Sequence, residues 1–216
     1  MIRLAIPSIR LRRTIVAAAA GTAAVAGLLV GVPSANASQD ASILATYPVN
    51  GTTSIASTNS TMTLGPGTLA ATLDVTTEAF TADLSLPAAT GSFTEFGIVP
   101  VTATTEFIQD GPTTGSDVNG GIQSTSQITI KLADVKIAGI DVPVGDSCET
   151  SPATINLASE TGFNVLTGGN IAGTYTIPDF SNCGLATPLI NIVIPGPGNT
   201  IALTLGKPTI SVPPSS

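Results

Sequence analysis

The sequence SQITIKLADVKIAGIDVPVGDSC, residues 126–148, combines the longest alternating apolar pattern of the chain with one of its two cysteines. Ile128, Ile130 and Leu132 are separated by single polar residues. Because successive side chains of a β-strand point to opposite faces, this alternation predicts a strand with one buried and one solvated face. We expect this strand to anchor the fold.

The same period of two recurs on both sides of this strand, in segments separated by Gly- and Pro-rich turns. The clearest segments are 68–75, 80–86, 98–108, 171–177 and 200–205. Helical periodicity is absent from the sequence after residue 37, so we expect an all-β fold. The prediction is an antiparallel β-sandwich, and the alternative is a partly open β-barrel.

The first 37 residues have the pattern of an export signal. Four arginines lie within the first 13 residues, an uncharged apolar run covers 14–32, and Ala35 and Ala37 supply the small residues that a signal peptidase reads. We therefore predict a signal peptide at 1–37, cleaved between Ala37 and Ser38. The adjacent arginines 12 and 13 leave both the general and the twin-arginine export routes open.

Composition then divides the mature chain into three parts. Residues 38–67 are rich in Ser, Thr and Asn and are predicted to form a flexible leader. Residues 68–207 carry the alternating segments and fit one β domain. Residues 208–216 contain three prolines and are predicted to be a disordered tail.

The mature chain is strongly acidic, and this limits its partners. Removal of the signal leaves three lysines against fourteen carboxylates, a net charge of −11. Such a surface cannot neutralise a phosphate backbone and is repelled by anionic lipid headgroups. We therefore expect no nucleic-acid partner, and the sequence shows no transmembrane segment after the signal is removed. The partner itself is unknown.

Two cysteines in an exported chain indicate one disulfide, Cys148–Cys183, formed in an oxidising compartment. Closing a loop of about 36 residues stabilises the fold by roughly 4 kcal/mol in the chain-entropy model, as an upper figure. We expect a secreted protein, extracellular or associated with the cell envelope.

The residue inventory argues against an enzyme. The chain has no histidine, which excludes Ser-His-Asp chemistry and imidazole metal ligands. A Ser-Lys pair would need Lys131 or Lys136, and both lie on the polar face of the anchoring strand. A carboxylate pair for glycoside hydrolysis would come from a set whose sequence spacing reveals no separation in space, namely Glu78, Asp83, Glu95 and Glu106.

One loop offers oxygen ligands for calcium. Asp110, Asp117 and Asn119 share the glycine-rich sequence DGPTTGSDVNGG at 110–121. Their spacing differs from that of an EF-hand loop, so ordinary turn-forming roles are the favoured interpretation. We expect no catalytic residue, no metal site and no cofactor.

Four stretches resemble segments of a family of exported actinobacterial proteins of unknown function. They are GSFTEFGIVPVTATTEFIQDGPTTG (91–115), the stretch at 124–157, GGNIAGTYTIPDFSNCG (168–184) and PGPGNTIALTL (195–205). The resemblance covers about residues 69–205. It implies export, a β-rich domain and a paired disulfide, and it implies no activity.

Two functions fit these observations. The first is a secreted, non-catalytic structural or interaction module of the cell envelope or extracellular space. The alternative is a carrier of an apolar small molecule or lipid, for which small residues at core positions could leave room. These residues are Ala71, Ala82, Ala103 and Gly173. The sequence specifies neither the ligand nor the oligomeric state.

Overall fold

The computed structural model describes residues 42–95 and 98–212, and most of these residues lie in β-strands. A 3-10 turn (Gly184–Ala186) leads into the helix α1 (Thr187–Val193). The strands are β1 (Ser42–Ile55), β2 (Ser60–Asp74), β3 (Ala79–Ser85), β4 (Ala89–Glu95), β5 (Val99–Gln109), β6 (Thr113–Val118), β7 (Gly121–Ile137), β8 (Ile140–Val142), β9 (Glu149–Thr150), β10 (Ala153–Ser159), β11 (Gly169–Ile177), β12 (Phe180–Ser181), β13 (Gly196–Leu205) and β14 (Thr209–Ser211).

Eight strands form a closed antiparallel barrel. In order around the barrel they are β1, β2, β3, β6, β7, β10, β11 and β13, and β13 pairs with β1 to close the ring. Each strand therefore neighbours the next barrel strand along the chain, as in an up-and-down arrangement. The all-β prediction is confirmed. The β-sandwich is not confirmed, and the barrel alternative fits, because alternation along a strand is the same in both architectures.

Outer strands extend from the second half of β7. This strand is 17 residues long, so it continues past the barrel and pairs with β5, which pairs with β4. The short β8 folds back on the end of β7, and β9 pairs with both β7 and β12. The anchoring strand predicted from the sequence therefore belongs to the barrel and to the outer layer at once.

The first two strands correct the predicted domain boundaries. Residues 42–67, expected to be a flexible leader, form β1 and the first half of β2, which pair with each other, and β1 also pairs with β13. β14, in the expected disordered tail, pairs with Leu44–Thr46 of β1. Threonine suits pleated strands, so a composition rich in threonine did not imply disorder. The predicted signal peptide and its cleavage site at Ala37 and Ser38 lie outside the described residues, as do 38–41 and 213–216.

One end of the barrel, here called the closed end, is filled by the segment between β11 and β13. Phe180 and Ile190 are buried there, and the Asn191 side chain binds both the amide N–H and the carbonyl oxygen of Phe180, at 2.8 and 2.9 Å. The disulfide Cys148–Cys183 is present beside the β9–β12 pairing, which confirms that prediction. It indicates folding in an oxidising environment.

The opposite end, here called the mouth, carries the β2–β3, β6–β7 and β10–β11 connections. Within the described ranges, neither helical segment has the length and apolar character needed to cross a membrane.

Candidate ligand-binding site

A cavity of about 260 Å³ opens at the mouth, inside the barrel wall. Its lining is mostly apolar and comes from β1, β2, β3, β6, β7, β13, β14 and the connections at that end. The apolar lining side chains are Ile43, Ala45, Tyr47, Leu69, Ala71, Leu73, Val75, Phe80, Ile122, Phe163, Val165, Leu166, Leu205 and Ile210. An apolar concavity with few polar groups is the usual form of a small-molecule site.

The cavity has a simple origin in the register of β1, β2 and β3. Ala45 pairs with Ala71, and Ala71 pairs with Ala82, so three alanines form one row across the inner wall. The rows on either side of it consist of larger side chains. The row nearer the mouth contains Ile43, Leu73 and Phe80, and the row farther from the mouth contains Tyr47, Leu69 and Leu84. Because an alanine ends at its β-carbon, the middle row leaves space that its neighbours do not fill.

The structure shows which of the small residues predicted at core positions lie at the mouth cavity. Ala71 lines the mouth cavity, and Ala82 is buried beside it. Ala103 instead lines a cavity of about 50 Å³ between the barrel and the outer strands. A β-carbon added to Gly173 would overlap the carbonyl oxygen of Asn156, so this glycine permits close strand packing and opens no space.

The β10–β11 connection, residues 160–168, forms one side of the mouth. Hydrogen bonds within the connection hold it in shape, including those from the Thr167 and Gly168 amides to the Asn164 carbonyl oxygen. It places Phe163 in a buried position and leaves Leu166 59% exposed at the opening. The sequence analysis missed these residues, although the apolar FNVL within a Gly/Thr-rich loop was a signal that could have found them.

Three acidic residues complete the lining, on the side formed by the β2–β3 turn and β6. They are Asp74, Glu78 and Asp117. Asp74 accepts hydrogen bonds from the amides of Thr76 and Thr77, and these bonds hold the pKa of its carboxyl below the usual value. No lysine or arginine is among the lining residues of the described chain.

The candidate calcium ligands do not converge. Asp110 precedes β6 and accepts a hydrogen bond from the Thr129 hydroxyl at 2.7 Å. Asp117 lies near the other end of β6 and accepts one from the Gly120 amide at 2.8 Å, while Asn119 occupies the same turn with a φ of 56°. Both aspartates have structural roles, and β6 separates them. Across the described residues, no group of three or more His, Cys, Asp or Glu is arranged to hold a metal ion.

The candidate catalytic residues are also dispersed. Glu78 lies at the mouth, Asp83 is exposed on β3, and Glu106 forms an ion pair with Lys131 at 3.5 Å. The side chain of Glu95 lies outside the described part of the structure.

The second lysine considered for a Ser-Lys pair also has a carboxylate partner. Lys136 forms an ion pair with Asp141, and the hydrogen bond and charge of that carboxylate raise the pKa of its ammonium group. A catalytic lysine would need a lowered pKa. The arrangement around Lys136 thus has the opposite effect from the one that catalysis requires.

The cavity is therefore mostly apolar, and of the candidate catalytic residues only Glu78 is among its described lining residues. The resemblance to exported actinobacterial proteins stays a prediction. No protein-family model, curated protein or solved structure matches this chain.

Proposed function

We propose that this protein is a non-catalytic binding protein that holds a small apolar molecule in the mouth of its barrel. The observation that carries the proposal is the apolar cavity of about 260 Å³, open at one end of a barrel whose other end is covered by the segment between β11 and β13. This corresponds to the carrier alternative of the sequence analysis.

The size of the cavity supports occupancy by a compact ligand. Dry apolar cavities of roughly 150 Å³ bind benzene, so the larger volume here accommodates more than one aromatic ring or a short alkyl chain. Eight strands also make a barrel just wide enough to be filled by side chains or to hold one small ligand. In this barrel the row of Ala45, Ala71 and Ala82 favours the second outcome.

The proposal includes export. The basic and apolar pattern of residues 1–37 supports passage across a membrane, and the Cys148–Cys183 bond supports an oxidising destination. We propose an extracellular or envelope-associated location, in which a carrier would meet apolar molecules that dissolve poorly in water.

A structural or interaction module is the second candidate, and one observation favours it. Leu185, Leu189 and Ile192 are exposed beside and along α1 at the closed end, with Leu185 fully solvated. Aliphatic side chains so exposed are typical of contact surfaces between proteins. Concentration-dependent oligomers of an otherwise ligand-free protein would support this candidate.

The test is a fluorescence titration with N-phenyl-1-naphthylamine, a neutral dye that brightens in apolar surroundings. The expected dissociation constant is on the order of 10–100 µM, because ligands of this size gain roughly 0.3 kcal/mol or more per heavy atom. Ala71→Phe should weaken binding about tenfold or more, since the phenyl ring takes up the space between the larger rows.

Ala70→Phe is the matched control for that variant. Ala70 is the preceding residue of β2 and is exposed on the outer face, so the same substitution there should leave dye binding unchanged. Circular dichroism establishes that both variants fold. Equal dye affinity for Ala71→Phe and the unmodified protein, or no dye binding by the latter, would refute the proposal.

A further inference from the structure

We propose that the mouth cavity selects apolar molecules with a cationic head group over those with an anionic one. This inference rests on the proposed function and names its ligand class. The cavity is the binding site, and the charges of its lining determine which head group can lie at its opening.

The charged groups of the lining have one sign. Asp74, Glu78 and Asp117 are the acidic residues of the lining, and its other residues in the described chain are uncharged. A concave site lined by charges of one sign focuses the field at its opening, because the surrounding protein has a low dielectric constant. A ligand carboxylate at the opening would therefore be repelled, and an ammonium group would be attracted.

Two of the three carboxylates, those of Asp74 and Asp117, are held in place before any ligand arrives. Two backbone amides fix Asp74, at 2.8 and 3.1 Å, and the Gly120 amide fixes Asp117. The Asp117 amide donates to the Glu78 carbonyl oxygen at 2.9 Å, which joins the two turns that carry the three carboxylates. Fixed charges need little reorganisation when a ligand binds.

Of the three acidic residues, Glu78 is the best suited to a substitution that removes its charge. It has a φ of 58°, a left-handed conformation in which glycine or asparagine is the less costly residue. Its side chain lines the cavity and is largely exposed, so Glu78→Gln removes the charge with little change in shape. Asp74 and Asp117 are less suitable because their oxygens maintain the turns.

The experiment compares three ligands with the same eight-carbon chain: octylammonium, octanol and octanoate. Each displaces N-phenyl-1-naphthylamine from the full mature chain at pH 7 and low ionic strength. We expect octylammonium to displace the dye at the lowest concentration and octanoate at the highest. The gap between the two ions should narrow as salt is added, because salt screens exposed charges.

Glu78→Gln should reduce the preference for octylammonium over octanoate by about two- to fivefold, the range of one exposed charge pair, without changing octanol affinity. Glu160→Gln is the matched control. Glu160 is an exposed glutamate at the same end of the barrel that lines a different groove, and its variant should retain the full preference.

The outcomes separate this inference from the proposed function. Equal displacement by the three ligands, or tighter binding of octanoate, would overturn the head-group preference and leave the apolar cavity as a binding site. An unchanged preference in Glu78→Gln would also overturn it. Failure of the dye and of all three ligands to bind would overturn the proposed function, and this inference with it.

Discussion

The Tyr47 hydroxyl donates a hydrogen bond to the Val165 carbonyl oxygen at 2.7 Å. Tyr47 belongs to β1 and Val165 to the β10–β11 connection, 118 residues later in the chain. Both residues line the mouth cavity. This bond fastens the connection to the inner wall, so the shape of the opening depends on a side chain that the ligand itself would contact.

Tyr47→Phe tests this attachment. The loss of one hydrogen bond should lower the free energy of unfolding by about 1 kcal/mol, as measured by urea denaturation. It should also speed dye dissociation in stopped-flow fluorescence, by about two- to fivefold, because the connection at the mouth is held less firmly. Tyr175→Phe, which removes a hydroxyl bonded to Thr53, is the control and should leave the dissociation rate unchanged. Equal rates for both variants would contradict the attachment.

The two tyrosines also predict how stability varies at alkaline pH. Burial raises the pKa of Tyr47 and of Tyr175, the latter despite an opposing effect of its hydrogen bond with Thr53. A raised pKa means that the folded state keeps protons that the unfolded state releases. Stability is therefore fully present below about pH 10, the unfolded value, and is lost as pH rises toward the folded values.

Absorbance at 295 nm measures this titration directly, since the chain has two tyrosines and no tryptophan. The folded protein should ionise its tyrosines at higher pH than urea-unfolded protein does. Tyr175→Phe leaves Tyr47 as the single reporter. Coincident titration curves for folded and unfolded protein would contradict the burial of these hydroxyls.

Asp74 predicts a smaller effect at acidic pH. Hydrogen bonds from Thr76 and Thr77 lower its pKa, so its contribution to stability is present above about pH 4 and is lost as pH falls through the lower folded value. Asp74→Asn keeps an acceptor oxygen but no titrating group. Urea unfolding at several pH values below 4 should therefore show a shallower pH dependence for this variant. Identical slopes for both proteins would rule out this role.

Removal of the disulfide should lower the stability of the protein and leave dye binding at the mouth unchanged. Cys148→Ala/Cys183→Ala frees a loop closed across 35 residues, at a cost of up to roughly 4 kcal/mol. Both sulfurs are buried at the closed end, away from the mouth. We expect a lower melting temperature together with unchanged dye affinity at temperatures where the variant stays folded. Loss of dye binding in the folded variant would show that the two ends are coupled.

Alternating patterns predicted many of the individual strands but not the architecture they form. Ile128, Ile130 and Leu132 are buried in β7 as expected. The pairing that closes the ring, β1 with β13, joins strands far apart in the chain and leaves no local pattern. A sandwich and a barrel were therefore indistinguishable at the level of alternation.

The segment predicted to be a flexible leader shows a second limit of prediction from sequence patterns. A buried polar residue interrupts its apolar pattern. Thr53 is 1% exposed in β1, where it donates to the Thr200 carbonyl oxygen at 2.9 Å and contacts the Tyr175 hydroxyl. Such a residue satisfies its hydrogen bonds inside the barrel and looks solvent-facing in the sequence. The apolar run 189–194 does not alternate, and its residues 189–193 lie in α1.

The cavity was only partly predictable. The sequence indicated Ala71 and Ala82 as small residues at core positions, but Ala45 was missed, and only the strand register shows that the three alanines form a row. The same holds for Glu78 and Asp117, which the hydrogen bond from the Asp117 amide to the Glu78 carbonyl oxygen brings together.

The alanine row separates the volume of the cavity from the pairing of the strands. Ala45 and Ala71 of this row line the cavity, and no backbone hydrogen bond depends on the identity of their side chains. A change from alanine to valine or glycine at either position would shrink or deepen the cavity while the strands keep their pairing. Point substitutions can therefore tune the chamber of this barrel without remodelling its scaffold.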